Sequence, residues 1–116
     1  MATFSRTAEW SVGTSAGEAR RLALGALRAR RAKVVGDRDR RIEARTGSSL
    51  LAHLDVSFVP QRWLPLNIVV KIADVDGATN VAVTVEDRLG VGATGTGTRY
   101  HELFDETIDS LRRATT

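Results

Sequence analysis

The spacing of apolar positions changes several times along the chain, and each change marks an element. Phe4, Arg6, Ala8, Trp10 and Val12 recur with period two, and the face is apolar from Ala8 onward. That predicts a strand over residues 3–12, ended by Gly13. Ser15-Ala16-Gly17-Glu18 then has the form of a capping box, in which serine takes an orphan N–H and glutamate reaches back. Behind it Ala19, Leu22, Ala23, Ala26, Leu27 and Arg30 share one side at helical spacing, so a helix is predicted to about residue 31. Its stripe is mostly Ala and Leu, which implies close approach to whatever it covers.

Short strands follow. Residues 33–36 and 41–46 flank the polar Asp37-Arg38-Asp39-Arg40 and read as a hairpin, with Ile42, Ala44 and Thr46 inward. Leu54, Val56 and Phe58 alternate with Asp55 and Ser57, which suggests a further strand inside residues 47–66. Residues 66–74 and 80–87 are the clearest strands, joined through the turn signal Asp76-Gly77. A glycine-rich stretch, residues 90–97, leads into a helix at about residues 99–114. Tyr100, Leu103, Phe104, Thr107, Ile108 and Leu111 form its stripe, and Arg112 and Arg113 sit at the end where the helix dipole favours cations.

The order β-α-β-β-(β)-β-β-α predicts one α+β domain over residues 1–116. Its antiparallel sheet would have about five strands, with both helices on one face. This order is similar to TATA-binding-protein-like and helix-grip folds, in which a curved sheet holds a long C-terminal helix. The resemblance covers most of the chain but is one of topology, so no functional residue is carried over from it. A ferredoxin-like arrangement is the alternative.

Composition narrows the function classes. With 42% apolar and 27% charged residues over 116 positions, a packed core is within reach and disorder is not expected. Zero cysteines exclude disulfides, thiolate metal sites and a cysteine nucleophile. No apolar run is long enough for a membrane helix and no secretory signal is visible, so a soluble, cytoplasmic protein is expected.

The net charge of +3 conceals an asymmetry. Residues 15–46 hold ten bases and four acids, whereas residues 74–116 hold four bases and eight acids. Two adjacent elements of opposite sign explain this split, and so would a basic face centred on Arg38, Arg40 and Arg41 that binds nucleic acid or an anionic surface such as anionic lipid. That stretch contains no aromatic residue with which to stack bases, so nucleic acid is not the expected partner.

The candidate chemical motifs fail on context. Gly90-Val91-Gly92-Ala93-Thr94-Gly95 matches G-x-G-x-x-G, but no second parallel strand follows the helix it precedes. Asp74-Val75-Asp76-Gly77 opens like a calcium loop, yet Val85 stands where the bidentate glutamate is needed. His53 and His101 are too few and too distant for zinc. Ser48 or Ser49, His53 and Asp55 lie too close in sequence for triad geometry. Neither a cofactor nor a metal is therefore expected. What remains is a non-enzymatic binding domain, holding a hydrophobic small molecule or a partner's apolar side chains between the sheet and the last helix. Trp10, Trp63, Tyr100 and Phe104 are its expected lining. The apolar segment 50–66, with Trp63 between two prolines, is equally suited to a homodimer contact.

Overall fold

The computed structural model describes residues 5–38, 40–47, 65–87 and 97–116. The elements run β1 (Ser5–Val12), α1 (Ala16–Ala29), β2 (Lys33–Arg38), β3 (Arg41–Thr46), β4 (Leu66–Val75), β5 (Ala78–Asp87) and α2 (Gly97–Thr115). The five strands form one antiparallel sheet in the order β1-β5-β4-β3-β2. Strands β2 to β5 are thus a meander, and β1 returns beside β5. This is the expected α+β arrangement and not the ferredoxin-like alternative. The expected strand at Leu54, Val56 and Phe58, and the glycine-rich stretch before α2, lie outside the described residues.

Alternation decides which face is buried. Ile42 and Ala44 of β3, Leu66, Ile68, Val70 and Ile72 of β4, and Val81, Val83 and Val85 of β5 all point to one side and are buried. The opposite side is polar. There Thr7 and Thr84 share a hydrogen bond of 3.1 Å, and Asn80 donates to Glu9 at 3.0 Å. Both helices cover the apolar side. Helix α1 lies over β2, β4 and β5, α2 lies over β1 and β5, and the two helices touch each other.

The turns follow local chemistry. Asp76 and Gly77 have φ of 51° and 80°, as the two central positions of a type I′ hairpin require. The tighter turn lets β4 and β5 extend beyond their expected ends. Strand β2 also runs further than the sequence implies. Its register shifts between Val34 and Gly36, so Val34 and Asp37 share the inner face. That bulge aims Asp37 at α1, where Arg20 pairs with it.

Helix α1 begins as expected and ends differently. The Ser15 hydroxyl accepts the Glu18 N–H at 3.2 Å. The Glu18 carboxylate does not complete the box; it pairs with Arg21 one turn on. The hydrogen bond from Arg21, with its charge, holds that carboxyl below its ordinary pKa. At the other end Ala32 N–H bonds Leu27 C=O and Arg31 N–H bonds Arg28 C=O, both at 2.9 Å. This is a Schellman closure, and Arg31 takes the left-handed position with φ of 60°. The sequence lacks the glycine that usually marks such an end, which is why the helix reads two residues too long.

Two substitutions test this account by chemical denaturation. Arg31→Gly relieves about 1–2 kcal/mol of left-handed strain against about 0.5–1 kcal/mol of added unfolded-state freedom, so stability should rise by about 0.5–1 kcal/mol. Leu27→Ala, at a fully buried site, should lower it by about 2–5 kcal/mol with an unchanged m-value.

Candidate functional site

Helix α2 carries the residues of interest along one stripe. Tyr100, Leu103, Phe104, Thr107, Ile108 and Leu111 are all buried, as their spacing implies. The helix is tied to β1 at two points. Near the start of the strand, Arg6 pairs with Asp105 and meets His101 Nδ1 at 3.1 Å. Near its end, Trp10 Nε1 donates to Thr115 Oγ1 at 3.0 Å, and the Arg112 guanidinium lies over the indole at 5.1 Å. Arg6 to Trp10 spans about 13 Å of strand, and Asp105 to Arg112 about 10 Å of helix, so α2 runs nearly along β1.

A third tie joins the helices. Arg30, which caps the C-terminus of α1, donates to Thr107 Oγ1 at 3.1 Å and to Glu106 at 3.3 Å. Thr107 in turn donates to the Leu103 carbonyl at 2.7 Å, so this buried hydroxyl is satisfied within its own helix as well. Basic α1 and acidic α2 are neighbours, and this contact joins charges from the two halves of the sequence.

The expected lining residues divide between the ends of α2. Tyr100 and Phe104 stand together at the N-terminal end, with ring centroids 5.8 Å apart and no exposed surface on either. The Tyr100 hydroxyl donates to the Pro65 carbonyl at 3.1 Å, immediately before β4 begins. His101 meets Phe104 edge-on at 6.0 Å. Trp10 belongs to the other end, half-buried beneath the last turn, about 22 Å away along the helix. Trp63 lies outside the described residues.

The Tyr100 end also collects buried polarity that is absent from the lining expected on sequence. Asp87 closes β5 on the inner face and is only 3% exposed. It faces Leu66 in register, and Leu66 in turn faces Thr46. A sequence signal for it exists: Asp87 continues the alternation of Val81, Val83 and Val85. Arg6 is similar, sharing the face of Ala8 and Trp10. Of the basic trio, Arg40 pairs with Asp74 at 2.9 Å and Arg41 with Glu43 at 2.7 Å, and Arg38 stands exposed opposite Arg41. Among the described residues no three His, Asp or Glu side chains gather as a metal site would need, and no helix is long and apolar enough to cross a membrane.

Two solved structures share this architecture. Ara h 8.0201 has a TM-score of 0.61 at 7% identity, covering 98% of this chain and 96% of its own. TTHA0849 from Thermus thermophilus has a TM-score of 0.50 at 14% identity, covering 96% of this chain and 93% of its own. At these identities the likeness is one of fold, and it identifies the architecture as helix-grip-like. No protein-family model and no curated protein sequence matches the chain.

Each end of α2 should respond to its own substitution. Trp10→Phe removes the indole donor and should cost about 0.5–1.5 kcal/mol, with faster amide exchange confined to the last turn of α2. Tyr100→Phe leaves the buried Pro65 carbonyl without this donor and should cost about 1–3 kcal/mol, with the exchange rising at the opposite end.

Proposed function

We propose that this chain is a non-enzymatic binding domain that holds a hydrophobic, lipid-like small molecule between the inner sheet face and α2. One observation carries the reading. The layer between sheet and helix is mostly apolar along β3, β4 and β5; among the described residues its one buried carboxylate, Asp87, and the Tyr100 hydroxyl lie at the end where α2 begins, and its other buried polar side chains are the hydroxyls of Thr79, Thr107 and Thr115. Ligand sites are mostly apolar with a few polar groups that orient the guest, and this is that distribution. The helix-grip fold is of a kind that binds hydrophobic small molecules, which supports the same reading.

Within this proposal the guest's tail lies along Phe104, Ile68 and Val85 and its polar head stays by Tyr100 and Asp87. Trp63 is the further lining residue expected from sequence. Trp10 plays a different part. It ties the last turn of α2 to β1, as Arg6 ties the first half of the helix through Asp105 and His101. A partner's apolar side chain entering at the Tyr100 end would use the same surfaces.

Native mass spectrometry of the purified protein should show a co-purifying hydrophobe. A long-chain fatty acid supplied at one hundred times its Kd should stabilise the fold by about 2.7 kcal/mol, a rise in Tm of roughly 10–20 °C. Phe104→Ala should weaken that shift, and Trp10→Phe should leave it in place. Absence of any bound molecule, together with no thermal shift across a panel of fatty acids, sterols and aromatic hydrophobes, would sink the reading.

A further inference from the structure

The sheet face turned away from the helices is sorted by charge. On β2, β3 and β4, Lys33 stands opposite Arg45, and Arg38 stands opposite Arg41, which stands opposite Lys71. All five are exposed. Among the described residues Glu43 is the one carboxylate on this half, held by Arg41. On β5 and β1 the same face carries Glu86 and Glu9, with no cation among the described residues.

Like charges directly opposite on neighbouring strands destabilise a sheet. Here five cations occupy a plane of about 10 by 13 Å, given the spacing of strands and residues. Such rows work against folding, and an anion from outside the chain would compensate them. We propose that this face docks on an anionic lipid bilayer. A clustered array of cations matches a surface of headgroup charges, and cations held at such a surface each strengthen binding about fivefold. Among the described residues this face presents no aromatic side chain on which a base could stack. Val35, 45% exposed at the bulge of edge strand β2, adds an apolar side chain in sequence between Lys33 and Arg38. Cations bordered by an exposed apolar group suit the boundary between headgroups and acyl chains. The surface lies on the opposite side of the sheet from α2 and does not depend on a guest inside.

Vesicle co-sedimentation tests this. The protein should bind phosphatidylcholine vesicles containing phosphatidylserine, release them as salt rises, and ignore pure phosphatidylcholine. The double variant Lys33→Gln/Arg45→Gln should bind about 30-fold more weakly. It should also melt no lower than the parent, because a like-charge contact has been removed. The matched double variant Arg28→Gln/Arg113→Gln, on the helical layer, should bind like the parent. Failure to bind charged vesicles at low salt would overturn the proposal, as would equal losses in both double variants. Tighter capture of an oligonucleotide through the same Lys33 and Arg45 would overturn it in favour of nucleic acid.

Discussion

A five-stranded sheet with one apolar face cannot stand in water with that face open, and most of this molecule follows from closing it. The inner side chains of β3, β4 and β5 offer a continuous apolar surface. Neither helix could cover it alone. Helix α1 approaches through Ala19 and Ala23, whose small side chains bring its backbone near, while Leu24 and Leu27 fill the space beside them. Helix α2 takes the β1 side with larger residues, Tyr100, Phe104 and Leu111. The burial is the main stabilising term, at about 1.5–3 kcal/mol for each large side chain removed from water.

Apolar burial is non-directional, so it does not by itself say where on the sheet each helix sits. Polar contacts supply that. Arg20 meets Asp37 because the β2 bulge turns that carboxylate inward. Arg30 reaches Glu106 and the buried Thr107. Arg6 and Trp10, four residues apart on the edge strand, hold two points of α2. Exposed ion pairs of this kind contribute little energy individually. Their value is in register, since each links residues distant in sequence and together they set α2 along β1.

The same contacts distinguish the two ends of α2. The Trp10 end of α2 is held by an indole hydrogen bond and a guanidinium over the ring. The Tyr100 end is where β4 begins and β5 finishes, and where the buried Asp87 and the Tyr100 hydroxyl bonded to Pro65 lie beside the apolar layer. The outer sheet face is physically separate from this. Its cations have no role in closing the core and lie where a charged surface can reach them.

Much of the fold was legible because periodicity is a local property. Period two over Val81, Val83 and Val85, helical spacing from Tyr100 to Leu111, the Ser15 cap and the Asp76-Gly77 turn each reflect backbone geometry that neighbouring residues impose. The order of elements then left few ways to bury both helix stripes. What the sequence could not determine is what depends on contacts across the chain. The Schellman end at Arg31 carries no glycine to announce it. The β2 bulge is visible only against the register of β3, and it alone brings Asp37 to Arg20. The four aromatic residues that share a chemical character did not reveal that Tyr100 lies at one end of α2 while Trp10, on β1, packs against the other. The basic stretch likewise read as a single run of charge. Tertiary pairing sent Arg20 and Arg30 to the helix layer, and it set Lys33, Arg38, Arg41 and Arg45 with distant Lys71 on one outer face, because a strand's alternation assigns sides while only the sheet assigns neighbours.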